Sequence, residues 1–223
     1  MPILNSPLKK IDIEETKRYA GLGKTAFKAD ELFQACQETQ LISKVMGSWE
    51  IYDYNSTSGQ ISSNPIYYIK GNSIHNHLKR AVKIIVIAAT IGDAIDQAIT
   101  EKFNKGQYTN AFLMDAAATA AVESSLDSME QTIAGIIKNS GYHLLPRYSP
   151  GYGDWDIHFQ PQMLKLSEAT KINLRLTSSY MLVPRKSVTA VIGLIPNNCE
   201  NIKKPTGCSD CPQQNCYARK EHY

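Results

Sequence analysis

An alanine-rich segment at residues 109–140 constrains the fold of this chain more than any other part of its sequence. Alanine has the strongest intrinsic preference for the helix, and Gly141 stands where a helix of this length would end. Many side chains in the segment are small, which lets neighbouring elements pack closely against it. The segment therefore predicts one long, closely packed helix.

Other segments predict shorter helices. Apolar residues recur at helical spacing in residues 12–19 and 28–46, and a further helix is expected over residues 161–169. Ser73 stands where it can cap a helix that runs through His77. The chain is thus expected to be helical in several separate places.

Strands are predicted between these helices. Aromatic and β-branched residues on both sides of a turn indicate a hairpin within residues 49–69, and residues 83–90 suit either a buried strand or a helix end. Residues 174–183 and 187–194 predict two antiparallel strands joined by a turn at 184–186. Because helices and strands mix without a βαβ rhythm, we predict an α+β fold, a mostly antiparallel twisted sheet packed with helices.

Composition excludes several classes of partner. The chain has 223 residues, of which 43% are hydrophobic, enough for one sizeable core or two small ones. Its 24 basic and 21 acidic residues are too evenly balanced for a typical nucleic-acid binder. The most apolar run, residues 84–91, is too short to cross a bilayer, and residues 1–10 lack the pattern of a secretory signal. We expect a cytoplasmic protein without nucleic-acid or membrane partners.

Three known short motifs are incomplete or absent in this sequence. Residues 21–25 end like a phosphate-binding loop, but Arg18 occupies the position of its first glycine. No G-x-G-x-x-G follows a predicted strand, so a Rossmann site is not expected. Residues 156–158 open like the D-x-H-x-x-G motif of corrinoid carriers, yet Pro161 replaces its glycine. The chain is therefore predicted to be neither a nucleotide hydrolase nor a corrinoid carrier.

Residues 147–152 place a guanidinium, a tight turn and a phenol close together. Arg147 can form a paired hydrogen bond with a carboxylate, Gly151 permits close approach of the backbone, and Tyr152 offers a ring face and a hydroxyl. This combination suits a zwitterionic aromatic ligand. A structural loop with an ordinary surface arginine gives the same pattern and stays the alternative.

An acidic stripe marks the predicted long helix. Asp115, Thr119 and Glu123 recur at intervals of four and share one face, which Asp127 continues. Such a stripe can receive an ammonium or a sulfonium. A solvated helix face is the alternative, and it is the interpretation that we prefer for Asp127.

These residues resemble a known family. The Arg147-x-x-x-Gly151-Tyr152 segment resembles the R-x-x-x-G-Y motif of the S-adenosylmethionine-binding activation domain of cobalamin-dependent methionine synthase, and His158 stands at the matching distance beyond it. The similarity covers roughly residues 10–195. Blocks similar to those of small, free-standing members of the family lie at residues 88–92, 115–123, 149–155 and 184–190.

The resemblance implies an activation-like domain over residues 1–196 and one ligand pocket within it. In that pocket Arg147 would hold the carboxylate of S-adenosylmethionine, whereas Thr119 occupies a position where the family is expected to carry an acidic residue. The residues implied to bind the ligand are Arg147, Ser149, Gly151, Tyr152, Asp115, Glu123 and His158.

The resemblance also implies a repair reaction. In the family, a corrinoid that has slipped to cob(II)alamin is reduced by a flavodoxin- or ferredoxin-like donor and remethylated by S-adenosylmethionine. The chain would be a methyltransferase component acting on a cobalamin-dependent methionine synthase or another corrinoid protein. No general acid or base is required, so no catalytic residue is named. The alternative is a non-catalytic regulatory module that binds S-adenosylmethionine or a metal.

Residues 197–223 form a short cysteine-rich tail. Four thiolates can close a tetrahedral zinc site or ligate an iron–sulfur cluster, and free thiols in a flexible tail are the alternative. The spacing matches neither a standard zinc ribbon nor the C-x3-C-x2-C of radical enzymes. The candidate ligands are Cys199, Cys208, Cys211 and Cys216.

Overall fold

Seven strands form an antiparallel sheet in the computed structural model, which describes residues 3–5, 8, 10–23 and 28–197. A separate pair, β7 and β8, forms a two-stranded sheet. The strands are β1 (Ile3–Leu4), β2 (Met46–Asn55), β3 (Gln60–Ile61), β4 (Tyr67–Tyr68), β5 (Lys83–Thr90), β6 (Tyr142–Leu144), β7 (Arg175–Leu176), β8 (Leu182–Val183) and β9 (Ser187–Pro196). The order in the large sheet is β4-β3-β2-β5-β9-β6, with β1 also paired to β2.

Six α-helices accompany these strands in the described part of the chain. Two short 3-10 helices, Ile157–Phe159 and Ala169–Ile172, flank the last of them. The α-helices are α1 (Ile13–Tyr19), α2 (Ala29–Ile42), α3 (Asn72–Leu78), α4 (Ala94–Asn104), α5 (Tyr108–Ile137) and α6 (Gln160–Leu166). The predicted α+β class is confirmed. None of the described helices combines the length and the apolar character that a membrane span needs.

Strand β5 lies in the middle of the sheet and is covered on both faces. Ile84 and Val86 pack in a cluster with Trp155, whereas Ile85 and Ile87 pack in a cluster with residues of α5. Alternate side chains of a strand point to opposite faces, so a strand covered on both sides carries a continuous apolar run. The sequence predicted either a buried strand or a helix end at residues 83–90, and these residues form the strand.

The predicted long helix is confirmed as α5, whose small side chains allow close packing. Ala117 and Ala121 are fully buried, and α1, α2 and α4 all contact this helix. On the sheet side, a side chain at Gly47 would collide with Met129 of α5. The helix therefore joins the sheet to the N-terminal helices and carries one edge of the site described below.

The predicted pairing of residues 174–183 with 187–194 is wrong. Strand β8 pairs with β7 instead, and β9 pairs with β5 along one edge. The other edge of β9 pairs with β6 and with Tyr148. Because both edges of β9 already have partners, the segment before it turns back on itself to satisfy its own backbone groups.

Candidate functional site

A cavity of about 400 Å³ opens between α5, the start of β9 and the loop that follows Arg147. Its wall combines charged, hydroxyl and aromatic groups, as small-molecule sites commonly do. The residues that line it are Glu123, Arg147, Tyr148, Ser149, Pro150, Tyr152, Gln160, Leu182, Ser187, Val188 and Thr189. Four residues that the resemblance assigns to the ligand therefore meet here: Glu123, Arg147, Ser149 and Tyr152.

Arg147 is held by three carboxylates of α5. Its Nη1 donates to Asp127 Oδ1 and Glu130 Oε1, and its Nη2 donates to Glu123 Oε2, each across 2.7 Å. Residues three and four apart share a helix face, which brings these acids to one guanidinium. Three carboxylates against one guanidinium leave an excess of two negative charges beside the cavity.

The ionisation of this cluster follows from burial and charge. Burial acts to lower the pKa of Arg147, but the charge of Glu130 and hydrogen bonds with Glu130 and Asp127 raise that pKa above its ordinary value. Burial raises the pKa of Glu130, the charges of Asp127 and Glu123 raise it further, and Arg147 acts to lower it. The guanidinium therefore stays charged, and the acids around it are held together by it.

Asp127 and Glu130 complete the acidic face of α5. The Asp127 side chain is 58% exposed, in agreement with the preferred solvated face, and its carboxylate also pairs with Arg147. Glu130 was missed, although it continues the spacing of three to four residues that joins Glu123 to Asp127. That spacing was the one signal that could have revealed it.

The loop after Arg147 has a defined backbone conformation. Gly151 adopts a φ of +93°, which favours glycine, and its N–H donates to the carbonyl of Trp155 across 2.7 Å. The Trp155 side chain is 1% exposed and packs in the core beneath the sheet. Gly151 does not line the cavity; it allows the turn that brings Ser149 and Tyr152 to its wall.

Asp154 ties this loop to α3. Its carboxylate accepts hydrogen bonds from the backbone N–H groups of Asn72 and Ser73, across 2.7 and 2.8 Å, and from the Ser73 hydroxyl. The hydrogen bonds with Ser73 and Asn72 lower the pKa of Asp154. The prediction that Ser73 caps the helix is wrong, because an acid distant in sequence accepts the exposed N–H groups and Ser73 lies inside the helix.

Tyr148 forms an aromatic wall of the cavity. Its ring centroid lies 5.2 Å from that of His77, 6.2 Å from that of Trp155 and 6.4 Å from that of Tyr152. His77 Nε2 donates to the carbonyl of Pro146 across 2.8 Å, and burial lowers the pKa of His77. Neither Tyr148 nor His77 was singled out as a site residue from sequence, because their contacts join segments far apart in the chain.

Asp115 lies outside the cavity wall, two turns before Glu123. Its carboxylate accepts from Lys186 Nζ across 2.9 Å, and the same ammonium donates to Thr119 Oγ1 across 2.9 Å. Lys186 is thus the cation that the first half of the acidic stripe receives. The stripe was predicted to be able to receive an ammonium or a sulfonium of a ligand, with a solvated helix face as the alternative.

His158 also lies outside the cavity wall. Its ring contacts that of Tyr180, with centroids 4.5 Å apart, and its Nδ1 is hydrogen-bonded to Asp156. The assignment of Asp115, Gly151 and His158 to the ligand, like that of the four residues on the cavity wall, stays a prediction, which a complex with the ligand would test.

Metal ligands were predicted only in the tail. Cys199, Cys208, Cys211 and Cys216 lie outside the described residues. Within the part of the chain that the structure describes, no cluster of three or more His, Cys, Asp or Glu side chains is arranged to hold a metal ion. Zinc or iron–sulfur binding by the tail therefore stays a prediction.

Comparison with known proteins identifies the fold. The sheet and helices are similar to the crystal structure of the MetH reactivation domain bound to AdoHcy, with a TM-score of 0.62 and 14% sequence identity over 90% of this chain and 80% of that chain. No protein-family model and no curated protein sequence matches. The chain has an α+β fold of the reactivation-domain type. More particularly, it has the fold of the methionine synthase reactivation domain, as the motif at residues 147–152 indicates.

Proposed function

We propose that this protein binds S-adenosylmethionine in the cavity beside Arg147 and supports the reductive remethylation of cob(II)alamin on a corrinoid protein. The observation that carries the proposal is the Arg147–Glu123 ion pair, both of whose side chains line the cavity. The similarity to a reactivation domain solved with AdoHcy supports the same ligand class.

The cavity has charges that match both ends of an amino acid. Arg147 Nη2 can donate to the carboxylate of the ligand, and Glu123 can accept from its ammonium, because these two groups already form such a pair across 2.7 Å. When the ligand binds, the Arg147–Glu123 ion pair is replaced by two ion pairs with the ligand, so no buried charge is left unpaired. The excess of two negative charges also favours the positive sulfonium of S-adenosylmethionine.

Aromatic groups provide the remaining contacts. Tyr148 and Tyr152 line the cavity, and a purine ring can stack on either face. Tyr152 is 66% exposed, so a bound ligand can cover apolar surface that now faces solvent. Ser149, next to the ligand-facing turn, places a hydroxyl and backbone groups on the same wall.

The proposed reaction needs positioning more than acid–base chemistry. A one-electron donor of the flavodoxin or ferredoxin type reduces the partner's corrinoid, and the methyl group passes from the sulfonium to cobalt as the carbon–sulfur bond breaks, leaving S-adenosylhomocysteine. Arg147 and Glu123 would fix the amino-acid end, so that the sulfonium methyl group faces the open side of the cavity. Holding two reactants in line removes several kcal/mol of the barrier, on the order of 7 kcal/mol in favourable cases.

Methyl transfer tests this function directly. Cobalamin-dependent methionine synthase from which the activation domain has been removed, in its cob(II)alamin state, is mixed with the protein, an electron donor and S-adenosylmethionine labelled in its methyl group. We expect labelled methylcobalamin to form in proportion to the added protein. Binding of S-adenosylmethionine without label on cobalt would instead indicate the alternative function, a regulatory module that binds the ligand without transfer.

The Arg147→Ala and Arg185→Ala variants are a matched pair for this assay. Both substitutions remove an arginine that is ion-paired with a carboxylate, but Arg185 pairs with Asp96 and does not line the cavity. Loss of transfer in the first variant with normal transfer in the second would connect the activity to the cavity.

A further inference from the structure

The two Nη atoms of Arg147 have different surroundings. Nη1 donates to Asp127 and Glu130, neither of which lines the cavity, whereas Nη2 donates to Glu123, which does. Nη1 is therefore held by acids away from the cavity wall, whereas Nη2 pairs with the acid on the wall.

Glu130 is the stronger of the two anchors. Its side chain is 25% exposed, against 58% for Asp127, and both carboxylates accept from Nη1 across 2.7 Å. An exposed ion pair is screened by water and contributes little, while a half-buried pair with the same geometry contributes more. Loss of Glu130 would therefore loosen the guanidinium more than loss of Asp127.

We infer that Glu130 is a positioning residue, which holds Nη1 of Arg147 so that Nη2 remains at the cavity wall to receive the carboxylate of the ligand. The inference rests on the proposed binding of S-adenosylmethionine. Glu130 does not touch the ligand in this scheme; it acts through Arg147. Its loss should therefore weaken the binding of ligands that carry a carboxylate more than the binding of ligands that lack one.

Two ligands separate this role from a merely structural one. S-Adenosylmethionine carries a carboxylate, an ammonium and a sulfonium, and its decarboxylated form retains only the two cationic groups. Neutralising an acid near the cavity weakens the more cationic ligand more, by simple electrostatics. Misplacing Arg147 has the opposite effect, because only the ligand with a carboxylate needs the guanidinium.

The experiment is a calorimetric titration of the Glu130→Gln protein with both ligands. The Asp127→Asn variant is the control, since it also removes one negative charge from a carboxylate that accepts a hydrogen bond from Nη1. For Glu130→Gln we expect affinity for S-adenosylmethionine to fall about tenfold while affinity for the decarboxylated form changes less. For Asp127→Asn we expect both affinities to change by less than about threefold.

Each remaining outcome decides against the inference or against the function on which it rests. Equal loss for both ligands, a larger loss for the decarboxylated form, or no change in Glu130→Gln overturns the positioning role. A wild-type protein that binds neither ligand overturns the proposed function instead. Should Glu130→Gln fail to fold, Glu130→Asp retains the charge on a shorter side chain, and the same selective loss for S-adenosylmethionine is expected.

Discussion

Arg147 Nη2 and Glu123 Oε2 lie 2.7 Å apart on the wall of one cavity, so each partner already makes the contact that an α-amino acid would offer it. The pair comes from a loop and a helix that are separated by 24 residues in sequence. It connects the fold to a ligand class, because a zwitterion can replace the pair without leaving a charge unpaired.

Substitution of Glu123 by Gln tests how the site distinguishes substrate from product. The variant keeps the size of the side chain and removes one negative charge from the cavity wall. We expect affinity for S-adenosylmethionine to fall about tenfold and affinity for S-adenosylhomocysteine to fall less, because only the first carries a sulfonium. Competitive titration of both ligands measures this ratio. Tighter binding of both ligands by the variant would contradict this expectation, because it would show that Glu123 only competes with the ligand carboxylate for Arg147.

Removal of Arg147 should make stability depend on pH. Arg147 acts to lower the pKa of Glu130, so the Arg147→Ala variant has a Glu130 pKa raised further above that of the unfolded chain. A folded state that binds more protons gains stability as the pH falls, so the melting temperature of the variant should rise relative to that of wild type as the pH is lowered from neutral toward the ordinary pKa of a glutamate. The Arg185→Ala variant is the control, because it leaves the Arg147 cluster intact and removes an arginine that pairs with Asp96. A parallel pH profile in both variants would contradict the expectation.

The conformation of Gly151 predicts a cost for any side chain. Alanine at a φ of +93° is strained, and its Cβ would meet Ile157 Cδ1 at 3.3 Å. We expect Gly151→Ala to lose about 1–2 kcal/mol of unfolding free energy and to bind S-adenosylmethionine more weakly, because the turn bearing Ser149 and Tyr152 shifts. Urea denaturation and calorimetry measure the two effects. Gly135→Ala, in an open position inside α5, should be neutral or stabilising.

The cysteine tail predicts a bound metal. Protein purified without oxygen should contain about one zinc ion, or iron and sulfide in the amounts of one cluster, per chain, since four thiolates complete either site. Elemental analysis and an absorption spectrum distinguish the two. Absence of metal together with reaction of all four tail thiols with a thiol reagent would favour free cysteines. Serine replacement of Cys36, which is buried outside the tail, should not change the metal content.

Local signals in the sequence predicted much of the fold. Alanine content predicted α5, and the apolar run of residues 83–90 indicated a buried element. That element is a strand because it pairs with neighbours in the sheet. The partner of β8 was predicted wrongly, because strand pairing depends on which edges are already occupied, and one segment does not encode that.

The site was only partly predictable for a related reason. The turn at residues 147–152 carries its own signal in glycine and proline, and the acids of α5 follow helical spacing. Glu130 pairs with Arg147, and Asp115 pairs with Lys186. Both ion pairs depend on how β9 and the loop pack beside α5. Such long-range contacts follow from the assembled fold, and residue spacing alone does not reveal them.

Calorimetric titration with S-adenosylmethionine, on wild type, Arg147→Ala and Arg185→Ala, tests the central claim most directly. Binding by wild type and Arg185→Ala, together with loss of at least about tenfold in affinity for Arg147→Ala while it remains folded, is the predicted result. Equal affinity in all three proteins would contradict the account, since the ligand would then bind without the guanidinium on the cavity wall.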